Sequence, residues 1–178
     1  SILFYKETQL GPGRYSISSI VYDALAKRSS TSAANVIIPA TGKNSLHLSS
    51  IVFVKNGEHL SSANTQASRL FRLGDALLYP NLGEPISKSE TGELTIFITA
   101  YGPPGEAATQ KLILEILQGG RTVGQLHNNL PVPDQTGRIQ YASAISLANL
   151  QPGDYELKVS VQNAKSGAVN SAAFTIGP

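Results

Sequence analysis

The chain has 178 residues, 41% of them hydrophobic and 15% charged, with a formal net charge of +2. That composition is too apolar for a disordered chain, and no apolar run reaches the ~20 residues needed to span a bilayer. The charges are scattered, which offers no surface for nucleic acid or for anionic membranes. Cysteine is absent, excluding disulfides and thiolate chemistry, while sixteen Gly and ten Pro among short β-rich runs favour an all-β chain. Methionine is absent too and the first residue is Ser1, so the chain is expected to be an excised or processed piece of a longer polypeptide.

The first readable element follows Leu10-Gly11-Pro12-Gly13-Arg14-Tyr15. Pro12 sets φ and Gly13 allows φ > 0, so a sharp turn precedes a strand. Tyr15, Ile17 and Val21 share one face of that strand and Ile20 and Tyr22 the other, so neither face is fully polar. A returning run ends near Pro39. A lone hairpin is barely stable in water. Residues 1–40 are therefore expected to dock on the rest of the chain or to pair with another molecule through open edges, a domain-swapped homodimer included.

Residues 41–45 are small, polar and turn-prone, which places a linker there. From 46 to 178 strand signals recur at short spacing. Leu46 to Lys55 is a first strand with a continuous apolar run at Ile51–Val54, and Asn56-Gly57 is a turn signal. Arg69 to Tyr79 is interrupted at Gly74-Asp75, and Pro80 to Gly92 is a long loop. Glu93 to Tyr101 alternates Leu94, Ile96 and Ile98 with Thr95, Phe97 and Thr99, with bulk on both sides, as suits a central strand. Lys111–Gln118 and Arg121–Leu126 flank Gly119-Gly120, a two-residue hairpin loop of the primed type. Arg138 to Leu147 is a further strand.

The last hairpin opens on Leu150-Gln151-Pro152-Gly153-Asp154-Tyr155 and runs through Tyr155–Asn163 and Val169–Ile176. Tyr155, Leu157, Val159 and Val161 share its apolar face. A Tyr two residues past a Pro-Gly turn has the placement of a tyrosine corner, where the ring joins the core and the hydroxyl bonds backbone. Tyr15 and Tyr155 lie 140 residues apart (155 − 15), and Ile17/Leu157, Val21/Val161 and Asp23/Asn163 keep that offset. After a one-residue gap, 32–37 aligns with 171–176, so two hairpins of one design end two units. The corner residues are thus Pro12, Gly13, Tyr15, Pro152, Gly153 and Tyr155. The expected core comprises Val52, Leu94, Ile96, Ile98, Leu112, Leu114, Ile116, Ile139, Ile145, Tyr155, Leu157, Val159 and Val161.

No constellation of residues carries chemistry. His47, His59 and His127 have no ligand spacing, no serine sits in a nucleophile elbow, and no phosphate loop feeds a helix. Asp75, Asn81 and Glu84 could offer oxygens to calcium, but Asp and Asn in turns ordinarily bond local backbone. No catalytic, cofactor-binding or metal-binding residue is therefore assigned, and no enzyme is expected. Glycan binding would need exposed aromatic platforms, with Tyr79, Tyr101 and Tyr141 the candidates in a chain that has no Trp. Tyr79, Asn81, Glu84 and Tyr101 mark loops where binding could occur.

The Leu150–Tyr155 corner with its flanking strands resembles the final strands of immunoglobulin-like and fibronectin type III-like bacterial domains. Leu48-Ser49-Ser50-Ile51-Val52-Phe53-Val54, the stretch Gly74–Pro85 and the strand Glu93–Tyr101 are similar to a C-terminal region of exported bacterial VWFA-related proteins. The Asp-x-Ser-x-Ser metal motif of a von Willebrand A domain is missing, so no metal-dependent adhesion carries over. The resemblance implies an immunoglobulin-like sandwich of about eight strands over 46–178, preceded by the closing hairpin of a similar unit at 1–40. It also implies an accessory, extracytoplasmic region of an exported protein, while the repeat and the absent chemistry point to a structural or protein-interaction role alongside protein partners or neighbouring domains, with a carbohydrate-binding module as the alternative. No cofactor, nucleic acid or membrane insertion is expected.

Overall fold

The computed structural model describes residues 6, 8–40, 45–59, 71–88, 92–102 and 110–177. The chain divides into two compact units, Ser1–Lys43 and Asn44–Pro178. In the first unit, β1 (Gly13–Asp23) and β2 (Arg28–Ile38) form an antiparallel pair in unbroken register from Gly13↔Ile38 to Asp23↔Arg28. The Asp23 carboxylate accepts from the amides of Leu25 and Ala26 at 2.9 Å, and Lys27 takes the left-handed conformation that lets the chain reverse.

The second unit is all β. In chain order it holds β3 (His47–Leu48), β4 (Val52–His59), β5 (Arg72–Leu73), β6 (Ala76–Pro80), β7 (Ile86–Ser87), β8 (Glu93–Tyr101) and β9 (Lys111–Gln118). The remaining strands are β10 (Arg121–Asn129), β11 (Arg138–Ser146), β12 (Gly153–Gln162) and β13 (Gly167–Gly177). Of these eleven, β3, β5 and β7 have two residues each, leaving eight longer strands. One sheet runs β10-β9-β12-β13-β7, and the other runs β11-β8-β4-β6-β5 with β3 also on β8. Every pairing is antiparallel except β13 with β7, which is parallel.

The period-2 pattern decides what these sheets bury. Leu94, Ile96, Ile98, Ile139 and Ile145 come from one inner face, and Leu112, Leu114, Ile116, Leu157, Val159 and Val161 from the other, all within one core cluster. Each side chain of this size stabilises the fold by roughly 1.5–3 kcal/mol when fully buried. Ala100, Tyr155, Phe174 and Ile176 join the cluster from β8, β12 and β13, and Leu46, Leu130, Leu147 and Leu150 complete it from the connections, where alternation gives no signal.

Val52 is a correction to the expected core. It is half-buried and pairs with Phe97, so it lies on the outer face of β8, whereas Phe53 pairs with Ile96 and packs inward. In the continuous run Ile51–Val54 the facing parity cannot be read from hydrophobicity alone. A second correction concerns Asn56-Gly57, which lies inside β4 beyond an irregularity between Val54 and Asn56 and makes no turn. A bulge changes facing and twist without reversing the chain, and the dipeptide does not distinguish the two outcomes.

The outer face of the second sheet is covered as well. Phe97 and Thr99 are buried there, and the Phe71 ring meets Phe97 edge-on with centroids 6.3 Å apart. Phe71 holds φ at 54°, an uncommon conformation for a bulky residue, and its carbonyl accepts from Leu78 N at 2.8 Å. The sheet curls far enough for Gln140 Nε2 on β11 to donate to the Arg72 carbonyl on β5 at 3.2 Å.

At the β9–β10 hairpin, Gly119 and Gly120 have φ of 57° and 78°, a primed turn that matches strand twist. Replacing Gly120 with valine is expected to cost about 1–3 kcal/mol, read as a lower urea midpoint at unchanged slope. An unchanged midpoint would show that the turn can relax to another type.

Candidate interaction surfaces

The best-defined local arrangement is the corner ahead of β12. Gly153 has φ of 149°, which favours glycine, and turns the chain into the strand. The Tyr155 ring is buried and stacks on Phe174 at 5.5 Å, while its hydroxyl donates to the Gln151 carbonyl at 2.8 Å. Phe53 also packs against Phe174, with ring centroids 5.4 Å apart. Lys88 Nζ donates to the carbonyls of Ala148 and Leu150 at 2.8 Å each, tying the chain after β7 to the segment leading into the corner.

The first unit holds the same bonds 140 residues earlier. The Tyr15 hydroxyl donates to the Gly11 carbonyl at 2.8 Å. At the hairpin tips, the Asp23 carboxylate and the Asn163 side-chain carbonyl both accept backbone amides, in the second case from Lys165 and Ser166. Corner and tip therefore coincide at one offset. The returning strand does not keep the expected one-residue gap. Tyr15 pairs with Val36 and Tyr155 with Phe174, so Val36 corresponds to Phe174 and Ile38 to Ile176, a two-residue gap. The shared Ser-Ala-Ala triplets are thus out of structural register by one residue, which puts their side chains on opposite faces.

The environments of the two hairpins differ. Leu157, Val161 and Phe174 are 0%, 0% and 7% exposed, whereas the corresponding Ile17, Val21 and Val36 are 49%, 67% and 36% exposed. Ile20, Tyr22 and Ile37 on the opposite face of the first hairpin are exposed too. Six of the exposed large apolar residues thus gather on one hairpin, and exposed apolar surfaces of that kind mark interaction sites.

The loop residues singled out from sequence do not converge. Asn81 caps its own loop, accepting from the amides of Gly83 and Glu84 and donating to the Glu84 carbonyl. Glu84 pairs with Lys55. Asp75 lies at the far end of β6, ~20 Å along the chain from Asn81, and meets His59 at 3.5 Å. No group of three candidate metal-binding side chains occurs among the described residues. His47 bonds the Ser45 hydroxyl and His127 lies on β10, so the three histidines occupy separate elements.

Tyr79 and Tyr101 do not form a row. Tyr79 pairs with Asn56 near the start of β8, whereas Tyr101 ends that strand between His47 and Arg138, ~25 Å away along the strand axis. The Tyr79 hydroxyl donates to Glu58 at 2.8 Å, and this hydrogen bond raises the phenol above its usual pKa. Tyr141 packs against the core. Between β10 and β11 a cleft of about 280 Å³ opens onto Leu114, Ile116, Leu126, Ile145 and Leu150. A smaller one of about 190 Å³ lies between Phe53, Asn81, Glu84, Asp154 and Phe174. In the latter, Asp154 is already engaged by the Thr175 hydroxyl at 2.7 Å.

One structural residue escaped sequence reading. Asp134 accepts from Thr136 Oγ1 at 2.6 Å, from the amides of Thr136 and Arg138, and from Arg138 Nε at 3.2 Å. Asp-x-Thr ahead of Gly137 was its available turn signal. The Thr136 hydroxyl first, then the Arg138 amide, lower its carboxyl pKa from 3.8 to about 2. Because the folded value is depressed, the stabilisation is complete above the unfolded value near 4 and disappears as pH falls through 2. A carboxyl-carbon NMR titration should therefore show Asp134 still ionised at pH 3; a midpoint near 4 would contradict the cap.

No family model and no curated protein matches the chain. A solved engineered protein, at 1.98 Å resolution, is similar over 54% of this chain and 18% of its own, with 16% identity and a TM-score of 0.36. A likeness of that size, spanning under a fifth of the other protein, carries no argument about function. Among the described residues no helix is long and apolar enough to cross a membrane.

Proposed function

We propose that the chain is a non-catalytic, immunoglobulin-like region of a larger exported bacterial protein, acting as a structural spacer or protein-interaction module. Residues 46–178 are the sandwich, 41–45 the linker, and 1–40 the closing strands of a preceding unit of the same design. The observation that carries this reading is the recurrence, at one 140-residue offset, of the corner bond and the hairpin-tip cap. Repetition of a unit that stores no chemistry is what a tandem spacer needs. The strand arrangement agrees with it, since β9 flanks the last hairpin and β8 and β11 face it from the other sheet. The resemblance to VWFA-related exported proteins supplies the extracytoplasmic placement. Protein partners would use the sheet edges or the exposed loops.

The test is fractionation of cells producing the full-length gene product, followed by limited proteolysis. The reading expects an extracytoplasmic product whose protease-resistant fragments begin near residue 44. A cytoplasmic product, or no cleavage between 40 and 46, would count against it.

A further inference from the structure

The first hairpin exposes an apolar face and an open edge, and its counterpart in the second unit shows what covers such a hairpin. There the outer edge of β12 pairs antiparallel with β9 from Glu156↔Leu117 to Gln162↔Lys111. Among the described residues, the outer edge of β13 pairs with the two-residue β7 alone, in parallel. Its apolar face lies against Leu94, Ile96 and Ile98 of the opposite sheet, within the core cluster.

The composition of the first hairpin fits the same treatment. Residues 15–22 and 29–37 hold no charged residue and no proline. Exposed edges are ordinarily blunted by lysine, proline, bulges or brevity, yet β1 and β2 are eleven residues each and pair without a bulge. Along the β12–β9 seam a Lys158–Glu115 pair spans 3.0 Å. The position on β1 that corresponds to Lys158 is Ser18, so the strand that meets β1 needs no acidic partner there.

We propose that β1, through its edge away from β2 and through the face of Tyr15, Ile17, Val21 and Val36, is the docking surface for a sandwich lacking its last two strands. That sandwich belongs to the same polypeptide. It supplies one long antiparallel strand of alternating Leu/Ile type to β1, as β9 does for β12, and an apolar sheet to the face. The edge of β2 takes at most a short parallel contact. Exchange with the last hairpin of a second copy is disfavoured, because the sheets of the second unit are packed around Val159 where the first hairpin carries Ser19, whereas the proposed partner has to accommodate Ser19 on that face.

This inference rests on the tandem-module reading but names the surface, the strand direction and the source. Amide hydrogen exchange tests it on the 178-residue chain over a range of concentrations and on the full-length gene product. In the 178-residue chain, the β1 amides pointing away from β2 should exchange fast at every concentration. In the full-length product they should slow at least ~10-fold. There Ile17→Asp should abolish the slowing while Ile20→Asp, on the opposite face, keeps it. Protection that grows with concentration of the 178-residue chain would assign the surface to a second copy and overturn the proposal. Fast exchange in both proteins, or equal loss from both substitutions, would overturn it too. An extracytoplasmic product with an unprotected β1 would sink this inference, and with it the assignment of 1–40 to a preceding unit, but leave the spacer or interaction role of the sandwich at 46–178 standing.

Discussion

Tyr155→Ala is expected to destabilise the sandwich by about 3–5 kcal/mol, the range for removing a buried aromatic side chain. The ring lies at 5.5 Å from Phe174, which in turn meets Phe53 at 5.4 Å, so its removal strips one end of a three-ring cluster and opens a void. Tyr155→Phe separates the ring from the hydroxyl. It should cost about 0.5–1.5 kcal/mol, the net worth of the bond to the Gln151 carbonyl. Tyr15→Phe, at a half-buried ring in the first hairpin, should change stability by less than about 0.5 kcal/mol. Urea unfolding of the three variants checks the order. If Tyr155→Ala lost no more than Tyr155→Phe, the ring would not be part of the core.

Val159→Ser gives the second large effect, about 2–4 kcal/mol. Val159 is fully buried and pairs with Leu114 on one side and Asn170 on the other. Serine there leaves a void and takes a hydroxyl out of water without an assured partner. The first hairpin carries Ser19 at the corresponding position, so Ser19→Val is its reciprocal and should fall within about 0.5 kcal/mol of neutral in the 178-residue chain. A similar cost at both positions would mean that the two hairpins are equally buried, contrary to the exposure of Ile17 and Val21.

The sandwich was legible where alternation is strict. Glu93–Tyr101 and Lys111–Gln118 have the same bounds in sequence reading and structure, because each sets Leu and Ile two residues apart over eight or nine positions. Legibility failed where one residue decides the outcome. The run Ile51–Val54 has no polar member to fix its facing, so hydrophobicity alone puts Val52 in the layer that Phe53 occupies. Asn56-Gly57 satisfies a turn and a bulged strand equally. The parallel β7 is two residues long inside a proline-containing loop, held by Ile176 and Gly177, and no local pattern reveals a partner ninety residues away. At the interaction surface, the apolar residues of β1 were visible in the sequence, as were both corners. The register of β2 was not, because a repeated Ser-Ala-Ala outweighs geometry in any alignment of letters.

The link from Gln140 to the Arg72 backbone has a consequence for assembly. A strand at the margin of a sheet can template growth by recruiting further chains, and β11 occupies such a margin. Gln140 pairs with Thr99 and so stands on the outer face beside Phe97, which puts β5 over that face and not along the edge of β11. The curl thus shields part of the outer face from a second sheet stacking on it, by one amide side chain and no charge.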